Sequence, residues 1–284
     1  MTAEEKPLFD SSKMEYRYLG NTGLRVSVLG FGVMFHDNID TMKDLLKICL
    51  KNGINFFDTA EAYGFGKAEK TFGQAIKDLK IPREKIIVTI KIYMSGSDPN
   101  DIGEGRKHII EGTKNSLKKL QLDYCDVVYA HRYDMNTPIE ETVRAMNYLI
   151  EKGLAFYWAT SEWTADQIER AFNICKERNL IPPICDQAHY NLLYRENIDS
   201  NYRDLFKYRK YGITSFSPLE YGILTGKYFD DKSKDSERSK MGFMREWDKN
   251  KKRLGTKIKK IATICQRKIK LHFSSIKYCL GYTK

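Results

Sequence analysis

Short runs of β-branched and aromatic residues recur along the chain about every thirty residues, with one longer gap before the fourth. The pattern predicts strands over 26–32 (VSVLGFG), 54–58 (INFFD), 86–91 (IIVTIK), 126–131 (DVVYAH), 155–161 (AFYWATS), 184–189 (ICDQAH) and 213–217 (ITSFS). Between them apolar positions repeat at helical spacing: Ile168, Ala171, Phe172 and Cys175 fall at i, i+3, i+4 and i+7 of one face. Thr164 with Gln167, and Thr137 with Glu140, have capping-box spacing, and Pro138 is placed for a first helical position. Gly53 and Gly153 follow helical stretches where a left-handed cap belongs.

Strands apolar on both faces, alternating with amphipathic helices, imply a parallel sheet covered by helices. Seven such units in 284 residues favour a (β/α)8 TIM barrel over an open sheet. A doubly wound sheet is the alternative, but its GxGxxG turn is missing: the first strand runs into LGFGVM, with no third glycine. Upstream, YRYLGNTGLRV predicts an N-terminal β-hairpin around Asn21, Thr22 and Gly23, placed to plug the bottom of the barrel. Met14 offers a second start, so residues 1–13 are expected to be a disordered tail and 14–284 the barrel domain.

Composition narrows the class without changing it. With 42% hydrophobic and 30% charged residues, the chain reads as an ordinary globular protein. It has neither an apolar run of about 20 residues nor a secretory h-region at the N-terminus. Six cysteines without a CxxC pair, mostly among apolar neighbours, read as reduced core thiols, and no metal site is expected. The net charge of +11 is concentrated in residues 226–284, which hold 18 Lys/Arg against 6 Asp/Glu. Such an excess draws a polyanion: nucleic acid, an anionic lipid surface or the phosphates of a cofactor. No RNA-recognition or helix-turn-helix pattern accompanies it, so nucleic acid is not expected as a partner.

Barrel active sites gather at the C-terminal ends of the strands. There the chain places Asp58 on the second strand, Tyr63 in the glycine-bearing loop after it, Lys91 on the third strand and His131 on the fourth. Singly, each has a structural explanation: a capping Asp, a packing Tyr, a snorkelling Lys, a satisfied His. At three successive strand ends they form a proton-donating device. A cation within about 4–6 Å favours phenolate and lowers a phenol's pKa by roughly 1–3 units. Lys91 is placed to be that cation, Asp58 to keep it charged, and His131 to orient a carbonyl oxygen. The set suits protonating the oxyanion formed when hydride reaches a carbonyl carbon.

FFDTAEAYGFGKAE, TIK and YAH resemble the Asp, Tyr, Lys and His tetrad of the aldo-keto reductases, and the likeness runs from about residue 15 onward. RKHIIEGTKNSLKKLQLDYCDVVYAHRYDMNTPIEETVRAMNYLIEKG and NLIPPICDQAHYN are similar to the voltage-gated potassium channel β-subunit branch. The resemblance implies a metal-independent, NADPH-dependent barrel reductase acting on a small carbonyl substrate. It also implies a cytoplasmic homotetramer docked beneath a voltage-gated potassium channel. Many animal members of that branch carry Asn where this chain keeps His131. By the same resemblance Ser161 and Gln187 hold the nicotinamide amide, Glu162 belongs to the cofactor-binding set, and Phe216 stacks against the nicotinamide ring. Ser217, Pro218, Leu219, Gly222 and Lys227 fall along the pyrophosphate, with Arg238 at a phosphate. Three departures stand out. Glu220 lies inside the phosphate loop, where its charge repels phosphate unless it turns away. Glu162 stands where animal channel subunits have Arg. HFSSIKYCLGYTK matches the helix before the eighth strand, so that strand, its Gly-Ser loop and the last helix are expected to be missing.

Overall fold

The structure is a computed structural model that describes residues 8–34, 36–225, 228, 255–258 and 260. The chain divides into two compact units. The first comprises residues 1–187 and 201–214, the second 188–200 and 215–284.

The first unit opens with an antiparallel hairpin, β1 (Tyr16–Tyr18) and β2 (Arg25–Ser27), closed by the Leu19 amide donating to the Leu24 carbonyl. Strands and helices then alternate: β3 (Gly30–Gly32), α1 (Ile39–Lys51), β4 (Phe56–Asp58), α2 (Lys67–Asp78), β5 (Ile87–Ile92), α3 (Arg106–Leu120), β6 (Cys125–Ala130), α4 (Ile139–Glu151), β7 (Ala155–Ser161), α5 (Ala165–Arg178), β8 (Cys185–His189) and β9 (Gly212–Phe216). The sheet order is sequential from β3 to β9, with parallel pairing through β8. This is the succession of a (β/α)8 barrel, with seven of its strands among the described residues. Residues 188–189 of β8 and 215–216 of β9 belong to the second unit.

Every residue of β5 and of β6 is buried. Alternation is absent because helices cover one face and neighbouring strands' side chains fill the other. Leu19 and Val26 of the hairpin join Phe56, Ile87, Val127, Tyr129, Ile184 and Cys185 in one apolar cluster, so the hairpin seals the N-terminal end of the strands. The α1–α5 layer is packed closely at Gly73, where a Cβ would lie 2.1 Å from the Leu120 carbonyl oxygen.

Two expectations are corrected. The apolar run 26–32 is not one strand: it splits between β2 of the hairpin and β3 of the barrel, because Ser27 donates its hydroxyl to the Leu29 carbonyl and turns the chain. Thr137 does not cap α4. Its hydroxyl donates to Asp134, and Pro138 itself occupies the cap position. The Thr164–Gln167 capping box does form, and Gly53 and Gly153 take positive φ after α1 and α4. Cys49, Cys125, Cys175 and Cys185 are buried free thiols; Cys265 and Cys279 lie outside the described residues.

The second unit has its own apolar cluster of Ile223, Leu224, Tyr228 and Ile258, with Leu192, Leu193 and Leu219 packed on it. Among the described residues no helix is long and apolar enough to cross a membrane.

Candidate active site

Asp58 is the last residue of β4 and Lys91 the next-to-last of β5, two strands paired in parallel register. Their side chains form an ion pair, Lys91 fully buried and Asp58 nearly so. Lys91 Nζ also donates to the Thr59 carbonyl at 3.2 Å. The second Asp58 oxygen accepts from the Thr89 hydroxyl at 2.7 Å and from Gln187 Nε2 at 3.3 Å. A buried ammonium needs this: burial alone pushes Lys91 down, but Asp58 and Tyr63 offset that and hold it above its ordinary value.

Tyr63 reaches the pair from the turn after β4. Gly64 and Gly66 take positive φ there, 56° and 83°, which lets the chain double back into α2 directly after the tyrosine. Lys91 Nζ lies 5.0 Å from the centre of the Tyr63 ring. The phenol is shifted upward, not downward as the cation alone predicts. Burial is the largest influence, Lys91 and Arg132 pull the other way, and Asp58 adds to the rise. The group therefore holds its proton firmly at neutral pH.

His131 follows β6, its amide bonded to the Ile92 carbonyl, and stands edge-on to Tyr63 at 6.4 Å between ring centres. Burial, then Lys91, then Arg132 push its imidazole down to about 2. It is neutral at physiological pH and can donate a hydrogen bond from its N–H, beside a phenol that keeps its proton.

Ser161, the last residue of β7, and Gln187, the middle residue of β8, are register partners. The Ser161 hydroxyl donates to the Gln187 carbonyl at 2.9 Å, and Glu162, at φ 59°, donates its amide to the same carbonyl and to Asp186. Gln187 thereby links Ser161 and Glu162 to Asp58. In the second unit, Phe216 stacks on His189 at 5.0 Å. The following turn bends through positive φ at Ser217, Glu220, Tyr221 and Gly222, carrying Pro218 and Leu219 between. Glu220 is buried, accepting from His189 Nε2 at 2.6 Å and from Asn191 Nδ2 at 2.7 Å, which counters its charge. Lys227 and Arg238 lie outside the described residues.

Several groups around the first unit's site escaped sequence reasoning. Arg132 Nη1 bridges the His131 carbonyl (2.6 Å) and the Ser161 hydroxyl (3.2 Å), adding a second cation. Its position directly after a strand-end His was the only available signal. Glu61, His108 and Glu104 are buried behind the strand ends. Glu104's carboxyl is held well above the usual range, chiefly by burial. Asp186, bonded to Thr160 at 2.6 Å, is pushed up to about 7 by burial despite that hydrogen bond.

Comparison with known proteins agrees with the geometry. The pattern of the Aldo/keto reductase family matches residues 28–280. The "probable voltage-gated potassium channel subunit beta" of Arabidopsis thaliana is 49% identical over 219 residues, 76% of this chain and 67% of that one. Its namesake from Oryza sativa subsp. japonica is 48% identical over the same length and shares. Among solved structures, a thermostable aldo-keto reductase crystallised with the inhibitor epalrestat matches with a TM-score of 0.64 at 26% identity, over 76% of this chain and 79% of that one. Sequence, strand order and the residues at the strand ends converge: the chain belongs to the aldo/keto reductase family, in the branch that resembles the plant potassium channel β subunits.

Proposed function

We propose that this protein reduces aldehyde or ketone carbonyls with NADPH, Tyr63 delivering the proton. The observation that carries the reading is the buried Asp58–Lys91 pair set against Tyr63, with a neutral His131 beside the phenol.

The residues present suit the cofactor. Ser161 and Gln187 offer hydroxyl and amide groups one strand apart, and Glu162 borders them. In the second unit Phe216 presents a ring, and the turn that carries Ser217, Pro218, Leu219 and Gly222, left-handed at Ser217, Glu220, Tyr221 and Gly222, is the candidate phosphate loop. Lys227 and Arg238 are proposed to complete the phosphate contacts. NADPH, when bound, supplies the hydride. His131 donates its N–H to the carbonyl oxygen and fixes its direction. Tyr63 gives its proton to the oxygen as negative charge develops there. Lys91, kept charged by Asp58, steadies the phenolate left behind.

The test is NADPH consumption at 340 nm by purified protein against a panel of aldehydes and ketones, with cofactor binding followed by fluorescence. Turnover with alcohol formation is expected. Absence of both binding and turnover overturns the reading.

The names of the plant relatives favour a second, compatible reading, a subunit that associates with a voltage-gated potassium channel; the family resemblance extends it to a cytoplasmic tetramer. Co-purification with a channel's cytoplasmic domain and a tetrameric mass by light scattering are the expected results. A monomer that fails to co-purify contradicts it.

A further inference from the structure

Tyr63 and Lys91 arrive on different segments, so the spacing between phenol and ammonium has to be set by something that joins the two. Glu61 makes that join. It lies two residues before Tyr63, and its side chain is almost wholly buried. Its amide donates to the Lys91 carbonyl at 3.2 Å, and its Oε1 accepts the Tyr93 amide at 2.7 Å. The tyrosine's turn is thus tied to the lysine's own carbonyl and to Tyr93 just past the end of β5.

The carboxylate is itself held from α3. His108 Nε2 lies 2.8 Å from Glu61 Oε1, and His108 Nδ1 lies 2.6 Å from the Asn100 carbonyl. A carbonyl only accepts, so Nδ1 carries a hydrogen, and a hydrogen also bridges Nε2 to the carboxylate. Burial pushes the imidazole down, but the hydrogen bond and charge of Glu61 outweigh it and the net shift is upward. One turn further along α3, Gly112 leaves the space that Glu61 occupies: a Cβ there would lie 2.9 Å from Glu61 Oε2 and 3.2 Å from Ile92.

We propose that Glu61, clamped by His108 and accommodated by Gly112, is a positioning residue that holds Tyr63 against Lys91 for proton transfer. The proposal rests on the reading of Tyr63 as the proton donor.

Gly112→Ala is the discriminating variant. It removes no hydrogen-bonding group, and alanine in a helix interior favours the helix over glycine. A purely structural role for this contact predicts at most some loss of stability from the crowding at Glu61 and Ile92, with kcat unchanged. The clamp predicts a kcat lower by about 10²-fold, because a displacement near 1 Å at the reacting groups has that effect. NADPH affinity is expected to stay within about threefold of wild type. Glu61→Ala is expected to lose kcat similarly, and Glu61→Gln, which keeps an acceptor for Tyr93, to recover most of it. Amide hydrogen exchange over residues 59–66 should quicken in Glu61→Ala while α4 and α5 keep their protection. A kcat within about threefold of wild type in Gly112→Ala overturns the proposal. If the wild type turns over no carbonyl, the reductase reading fails separately. Exchange at 59–66 then decides the clamp: retained protection in Glu61→Ala overturns it, and lost protection upholds it.

Discussion

Replacing Asp58 by Asn is the sharpest perturbation of the site, because it strips the counter-charge from a fully buried ammonium and changes little else. Lys91 is 1% exposed and Asp58 14%. Asparagine keeps an oxygen for Thr89 and Gln187, so the loss falls on the lysine. Without Asp58, burial is the dominant influence on Lys91, and the amine sheds its proton in the folded state. In the unfolded chain it stays charged up to its ordinary value of about 10.4. Folding then requires deprotonation, and at pH 7 the penalty has a ceiling of about 4–5 kcal/mol, from 3.4 pH units at about 1.4 kcal/mol each. That ceiling matches the roughly 3–5 kcal/mol for breaking a buried pair. In the wild type Lys91 is charged in both states below its unfolded value, so its contribution is fully present at pH 7 and fades only as pH rises through the folded value. In the variant the unfolded state binds the extra proton, so stability climbs with pH. The gap between the two proteins should therefore narrow by about 2 kcal/mol from pH 7 to pH 8.5. Urea unfolding followed by the fluorescence of Trp158 and Trp163, both buried, measures it. A gap below about 1 kcal/mol at pH 7, or one independent of pH, refutes the argument that Asp58 is what keeps Lys91 charged.

Three further outcomes follow from other parts of the structure. His131 refuses a proton that the unfolded chain accepts below its ordinary 6.5, so the wild type should lose stability on acidification relative to His131→Gln, by about 2 kcal/mol at pH 5; equal acid profiles in urea contradict the neutral imidazole. Glu220→Ala removes the acceptor shared by His189 and Asn191 and should weaken NADPH binding about tenfold in a fluorescence titration, the effect of losing roughly one buried hydrogen bond. Gly73→Ala drives a methyl into the Leu120 carbonyl and should destabilise by about 1–3 kcal/mol in urea, despite alanine's better helix propensity.

The architecture was legible because burial on both faces of β5 and β6 erases polar alternation and leaves continuous apolar runs. Asp58, Lys91 and His131 stood out as polar residues ending such runs, where an apolar core gives no reason for charge. What sequence could not supply was the balance of forces on Tyr63: a nearby cation argued for a lowered phenol, but the depth of the turn that buries it is a tertiary property. Thr137 misled for a related reason, since Asp134 three residues upstream competes for its hydroxyl. Glu220 reads in sequence as an isolated charge, and its hydrogen bond to His189, thirty-one residues earlier, lies beyond any local pattern. Glu61, His108 and Gly112 were unreadable because each is ordinary on its own element, and their meaning lies in the contact between a loop and a helix 47 residues apart.

The central claim is that a phenol, not an imidazole, delivers the proton. Single-turnover hydride transfer by Tyr63→Phe at saturating NADPH and aldehyde tests it most directly. The account predicts a rate at least about 10²-fold below wild type, with NADPH affinity unchanged. Hydride transfer at the wild-type rate in Tyr63→Phe would contradict it.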